Sequence, residues 1–309
     1  MKQEFATREL MAVLEGPLGF RIRSLERLPG KAWSLNFKAV READGFEFVV
    51  KLVPDTGNAA YEARFAQTVR HLGDLTGTKA ARLLFPSCEI SFRNYHVCFL
   101  TWCPGVRLFP DKLTVEQLKA FLDDYLAFSR GMQKTTGIFP KRDGTAVRKM
   151  VLNGLSGLLG KRLRCKIETD MSEADVTHRP ELTQVIHGDF HYGNFLFEGG
   201  RLSGIFDLEE FRYGYPAEDI VRYVTCAVEH LRWYEWGRAR GIKQMFAVMV
   251  RHLPYSAHEW IVALNVHFLL KVSKRVRSGI GFIKVLNLLF RYAFYRELKA
   301  VAREAEGLP

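Results

Sequence analysis

The chain has 309 residues, is 48% hydrophobic and carries a formal net charge of +11, enough apolar material for one large core or two lobes of ordinary domain size. Its apolar runs, such as IVALNVHFLLKV from residue 261, are short and broken by Asn265, His267 and Lys271, which excludes a membrane span, and the opening MKQEFATRELMAVLEG lacks the apolar block and small-residue cleavage site of a secretory signal. The five cysteines are scattered, odd in number and without a CxxC pair, which argues against a disulfide framework or a zinc knuckle and for reduced thiols in the cytoplasm.

The first hundred residues are predicted to be mainly strand. In FEFVVKLV, Phe46, Phe48, Val50 and Leu52 share one face at period two, while Glu47, Val49 and Lys51 share the other. SLNFKAVRE precedes it, and Ala43, Asp44 and Gly45 form the turn signal of a hairpin. After Pro54 and Gly57 the period becomes helical, with Tyr61, Phe65, Val69 and Leu72 on one side. YHVCFLTW, residues 95 to 102, is a further strand, closed by Pro104 and Gly105.

Helices then dominate. Thr114 and Gln117 form a capping box before an amphipathic stripe of Leu118, Phe121, Leu122, Tyr125 and Leu126. A stretch from 134 to 144 separates this helix from a basic one over 145 to 166, and 167 to 181 reads as a polar loop. Further helices run from about 217 to the end, with breaks near Gly237, Gly241, Pro254 and Gly279. A sheet followed by helices implies an α+β chain of two lobes joined near residues 101 to 105.

The chemistry concentrates in VIHGDFHYGNFLF, residues 185 to 197. A carboxylate followed five residues later by an amide, then a second carboxylate after a strand, suits phosphoryl transfer from a magnesium nucleotide. Asp189 can orient an acceptor hydroxyl and take its proton. Asn194 offers Mg²⁺ a neutral oxygen, and Asp207 in GIFDLEE offers a charged one. The flanking VI, FLF and LSGIF read as short buried strands that hold these side chains rigid.

The ordered set HGDFHYGN, FDLEE and YGYPAEDI closely resembles the aminoglycoside phosphotransferase and choline kinase superfamily. That resemblance implies a bilobal protein-kinase-like fold, with an N-lobe over 1–102 (small antiparallel sheet, one helix) and a larger, mainly helical C-lobe over 103–309. It implies Mg²⁺ as cofactor and ATP or GTP as phosphoryl donor. By the same resemblance Asp189 is the catalytic base, Asn194 and Asp207 are metal ligands, and Glu209 is an additional acid near the metals. His187 is similar to the residue that braces the catalytic loop, and Asp219 to the one that hydrogen-bonds its backbone; His191 takes a supporting place. Lys51 on its strand would reach the phosphates and Glu62 on the following helix would hold it. RLPGKAWSLNF, with Gly30, Ser34 and Asn36, would cover the phosphates. Thr101, Trp102 and Cys103 resemble the inter-lobe connector that meets a purine edge.

The acceptor is read from charge. Residues 231 to 309 hold fourteen Lys or Arg against five acids, whereas a polycationic antibiotic calls for a carboxylate-rich pocket. The expected acceptor is therefore a small hydroxylated molecule, a sugar, a sugar derivative or an amino alcohol, neutral or anionic in preference to polycationic. Trp233, Tyr234 and Trp236 offer rings that cage a quaternary ammonium or stack on a sugar, or else pack as ordinary helix residues. KVSKRVRSGIGFIKVLNLLFRYAFYRELK has the basic and apolar alternation of a helix docking on an anionic membrane, which leaves a glycolipid kinase as the alternative. A nucleotide-binding pseudokinase without transfer activity is another, and no nucleic-acid motif accompanies the charge.

Overall fold

The computed structural model describes residues 7–29, 35–55, 90–133, 165, 169, 184–207, 210–232, 234–269 and 282–307. The chain divides into two compact units. One comprises Met1–Pro104, Lys134–Gly137 and Gly204–Glu209; the other comprises Gly105–Gln133, Ile138–Ser203 and Glu210–Pro309.

The first unit is an antiparallel sheet of five strands, β1 (Ile22–Arg27), β2 (Leu35–Arg41), β3 (Glu47–Pro54), β4 (Ser91–Phe92) and β5 (Tyr95–Thr101), in the order β1-β2-β3-β5-β4. The β2–β3 hairpin turns where the sequence signals it: the Gly45 N–H donates to the Arg41 carbonyl at 3.1 Å, and Asp44 accepts from the Phe46 N–H. Alternation along β3 buries Phe48, Val50 and Leu52 with Phe37, Val97 and Phe99, at roughly 1.5–3 kcal/mol for each large apolar side chain removed from water. Lys51 takes the opposite parity and pairs in register with Cys98 on β5. The sequence reading missed α1 (Thr7–Leu18), whose Leu10 and Leu14 close this core. Leu10 and Leu14 are its buried positions, and Pro17 lies inside it, so the signal is weak until the sheet supplies a surface to cover. The Glu15 carboxylate also accepts the Ile22 N–H at 2.8 Å, which ties α1 to β1.

The second unit is mainly helical. The expected capping box is present at the start of α2 (Val115–Met132), where Thr114 accepts from the Gln117 N–H and Gln117 from the Thr114 N–H. β6 (Gln184–Ile186) pairs with β9 (Arg212–Gly214), and β7 (Phe195–Glu198) pairs with β8 (Arg201–Ile205), whose last two residues belong to the first unit. Gly199 and Gly200, both at positive φ, turn the β7–β8 hairpin. Then come α3 (Ala217–Glu229), α4 (Trp236–His252), α5 (Ala257–Leu264), a π turn over Asn265–Leu269 and α6 (Phe282–Glu304).

Two expectations are corrected here. The helices do break just before Gly237, between Glu229 and Trp236, but α4 runs through Gly241, because Ala239, Ile242, Phe246, Met249 and Val250 are buried along it and that packing outweighs the roughly 1 kcal/mol that a helical glycine costs. Within the loop expected over 167 to 181 the described residue is Thr169, which is helical, its hydroxyl donating to the Cys165 carbonyl at 3.0 Å. The helix expected around Tyr61 to Leu72, the break at Gly279 and, apart from the helical Cys165, the helix expected over 145 to 166 lie outside the described residues. Among the described residues, no helix is long and apolar enough to cross a membrane.

Candidate active site

The segment 187–194 is held from below by aromatic packing. Phe190 is fully buried and meets Phe195 at 4.8 Å and Tyr125 at 4.9 Å between ring centroids, while Phe121 packs on Phe190, Phe195 and Phe197. These are the apolar residues that interleave with the polar ones in the sequence: their burial forces Asp189, His191 and Tyr192 to the other side of the loop. Gln133, just past α2, acts as a side-chain strand partner for β6, its amide nitrogen donating to the Val185 carbonyl (2.9 Å) and its oxygen accepting the Val185 N–H (3.1 Å).

α3 supplies the second brace. The Asp219 carboxylate accepts the His187 N–H at 2.8 Å and the Gly188 N–H at 2.9 Å, with the Tyr125 hydroxyl at 3.3 Å. Burial pushes the Asp219 carboxyl up from its ordinary value, against the pull of His187, the two N–H groups and Arg212. His187 is fully buried, and its Nδ1 accepts the Asp189 N–H at 3.3 Å.

Asp189 itself is enclosed by donors. Arg222 places Nε and Nη2 on Oδ1, at 3.1 and 3.0 Å; His191 Nε2 is 3.2 Å from Oδ2. The Asn194 amide nitrogen donates to the Asp189 carbonyl at 2.9 Å and lies 3.4 Å from Oδ2. Burial opposes the charge, but the His191 hydrogen bond and the attraction of His191 and Arg222 hold this carboxyl well below the usual carboxylate range. Arg222 was not among the residues singled out from the sequence. The signal was available in the spacing: Asp219 and Arg222 are three apart, on one face of α3, so the turn that places Asp219 under the loop backbone also places Arg222 beside the loop side chain.

In the first unit, Lys51 is 8% exposed and its ammonium donates to Asp207 Oδ1 at 2.9 Å. Asp207 sits at φ 53 and its side chain is 54% exposed; aspartate is among the few residues that tolerate this left-handed backbone. Thr101 ends β5, Trp102 carries the Lys38 ammonium 4.5 Å over its ring, and the Cys103 thiol is packed so closely on Gly204 that a Cβ there would lie 2.5 Å from the sulfur. Gly30, Ser34, Glu62 and Glu209, expected around the phosphates and metals, lie outside the described residues, as does Trp233. Tyr234 and Trp236 are exposed, Trp236 standing edge-on to Phe290 at 4.8 Å.

The donor chemistry fits a hard divalent cation. Because the Asn194 nitrogen is spent on Asp189, the amide presents its oxygen as the remaining donor, and Asp207 presents a solvent-accessible carboxylate; magnesium takes oxygen ligands of both kinds.

The sequence matches the family model described as "Phosphotransferase enzyme family" over residues 24–248. No curated protein matches it. Among solved structures, the chain is similar to a spectinomycin phosphotransferase bound to ADP and spectinomycin (TM-score 0.60, 13% identity, covering 99% of this chain and 100% of that one). It is also similar to an amicoumacin kinase in complex with AMP-PNP, Ca²⁺ and Ami (0.58, 12%, 95% and 96%). A third is the macrolide 2'-phosphotransferase apoenzyme from Brachybacterium faecium (0.59, 11%, 94% and 97%). At these identities the likeness establishes the fold, which is α+β and kinase-like.

Proposed function

The chain belongs to the phosphotransferase enzyme family, and from that premise we propose that it moves the γ-phosphoryl group of ATP or GTP, as the magnesium complex, to a hydroxyl of a small molecule, a sugar, a sugar derivative or an amino alcohol, neutral or anionic in preference to polycationic. The observation that carries this reading is the state of Asp189, a carboxylate fixed at both oxygens beside an oriented amide. Transfer through a loose transition state asks little of a base until the acceptor oxygen has begun to bond, so the first requirement is alignment. An ionised, immobile carboxylate accepts the hydroxyl's hydrogen bond, points its lone pair in line and takes the proton late. His187 and Asp219 keep the loop backbone in place for this.

Lys51 would neutralise phosphate oxygens, and Asp207, its ion-pair partner in this structure, would be one of the residues holding the cation. Asn194, Asp207 and Glu209 are the residues that would hold magnesium, which supplies Lewis-acid neutralisation of the triphosphate. Glu62 is the partner proposed for Lys51, Gly30 and Ser34 line the loop proposed to cover the phosphates, and the backbone of Thr101, Trp102 and Cys103 is proposed to meet the purine edge. Three structures that share the fold are named as a spectinomycin phosphotransferase, an amicoumacin kinase and a macrolide 2'-phosphotransferase, which supports a small-molecule acceptor; the basic C-terminal composition favours one that is not a polycation.

The test is magnesium-dependent nucleotide consumption by the purified protein with aminoglycosides, choline, ethanolamine, sugars and sugar phosphates. One class of acceptor should accelerate turnover in the native protein and not in Asp189→Ala. Equal turnover in both proteins would move the active site elsewhere.

A further inference from the structure

Three half-buried or exposed aromatic rings meet next to Asp189, contributed by three separate elements of the second unit. Tyr192 comes from the catalytic loop. Phe109 comes from the segment before the 3₁₀ turn Pro110–Lys112, which is anchored by the Tyr223 hydroxyl donating to the Leu108 carbonyl at 2.9 Å. His230 is the C-cap of α3. Phe109 and Tyr192 lie 4.1 Å apart between centroids, His230 stands edge-on to Tyr192 at 5.5 Å, and the Tyr192 hydroxyl is 3.3 Å from His230 Nε2. His191 joins this group to the carboxylate: its ring is 6.0 Å from that of Tyr192 and its Nε2 is 3.2 Å from Asp189 Oδ2.

We propose that Phe109, Tyr192 and His230 form the platform on which the ring of a neutral, sugar-like acceptor stacks, with its hydroxyl edge turned toward Asp189. This rests on the reading of Asp189 as the group that orients the acceptor, and it names the acceptor class. The electron-rich faces of the rings attract the partly positive C–H bonds along one side of a pyranose, and the opposite, hydroxyl-bearing edge is left for the carboxylate.

Charge selects the neutral ring over the alternatives. Four acids surround the platform and share two arginines: Asp111 and Glu235 pair with Arg238 at 3.0 and 3.1 Å, and Asp189 and Glu229 face Arg222 at 3.0 and 3.7 Å. The carboxylates outnumber the guanidiniums, so an anion is disfavoured and finds both arginines engaged, while a polycation must displace an arginine from each carboxylate it pairs with. A quaternary ammonium is disfavoured as well, because the Arg238 guanidinium already lies 5.8 Å from the Phe109 ring centre and a second cation there is repelled.

The experiment reads binding apart from turnover. Saturation-transfer NMR is recorded on the full chain with methyl glucoside, methyl galactoside, methyl mannoside, choline and kanamycin as probes. At least one glycoside should receive saturation at its ring C–H protons, its affinity should fall about tenfold in Phe109→Leu and in Tyr192→Leu, and Tyr192→Phe, which keeps the ring, should retain it. No saturation of any glycoside, preferential saturation of choline or kanamycin, or unchanged affinity in both leucine variants overturns the platform. Nucleotide consumption is measured separately. Glycoside binding without turnover would keep the platform and remove the transfer reaction, whereas glycoside-stimulated turnover indifferent to Phe109 and Tyr192 would keep the reaction and remove the platform.

Discussion

Asp189 and Asp207 are the same side chain held in opposite ways. Asp189 is gripped at both oxygens by Arg222 and His191, at its carbonyl by Asn194, and from beneath by Asp219 through the two preceding N–H groups of the loop. Asp207 is mostly exposed, sits on a left-handed backbone and faces Lys51. The first arrangement suits a group that must not move while bonds change. The second leaves a solvent-accessible carboxylate oxygen, which suits the metal-ligand part proposed for it.

The largest expected difference between the two follows from substituting each. Asp189→Ala should reduce turnover by about 10²–10⁴-fold, the range for a positioned acid–base group, with nucleotide affinity within about twofold of the native protein. Asp207→Ala should weaken magnesium-dependent nucleotide binding itself, measured by titration calorimetry with and without the metal. If both variants lose binding alike, the contrast between a rigid and a solvent-accessible carboxylate is wrong.

Arg222 offers the next test. Arg222→Leu leaves Asp189 with His191 and Asn194, and turnover should fall by about 10-fold or more through lost alignment. The pH profile gives the direction independently. Asp189 is depressed in the folded protein, so its ionised form persists below the unfolded value of about 3.9, and its favourable contribution to stability is full above that value and lost only as the pH falls through the folded one. Removing Arg222 removes one of the depressing influences, so any acid limb of kcat/KM due to Asp189 should move to higher pH. An acid limb that stays in place would show that Arg222 does not set the state of Asp189.

Asp219→Asn probes the brace without changing its size. Both carboxylate oxygens accept N–H bonds, so one of them must become an amide nitrogen facing another donor. A loss of about 1–3 kcal/mol in a denaturant titration is expected. Retained stability would mean that the loop keeps its shape without α3.

What could be read from the sequence follows the range of the interactions. The β2–β3 hairpin, the Thr114 capping box and the strands β7 and β8 were legible because each is settled by residues a few positions apart. α1 was not, since its two buried leucines mean nothing until the sheet is there to cover. The aspartates and the asparagine of the candidate site were legible as an ordered pattern. Arg222 and the ring cluster were not, because Arg222 reaches a residue 33 positions away and Phe109 is brought to Tyr192 only by folding.

The smallest effect compares one substitution at two glycines, one inside the gripped loop and one outside it. Gly188 has φ +84 and a Cβ there would lie 2.1 Å from the Glu210 carbonyl oxygen, so alanine must displace the backbone on which Asp219 acts. Gly237, in the first turn of α4, has nothing within 4 Å of an added Cβ and an ordinary φ. Gly188→Ala should therefore cost more than the roughly 1 kcal/mol by which glycine and alanine differ intrinsically, while Gly237→Ala should gain about 0.5–1 kcal/mol. Thermal unfolding of the two variants reads the sign directly. A loop that accepted alanine at Gly188 as readily as the helix does at Gly237 would not be over-determined, and the immobility of Asp189 would need another source.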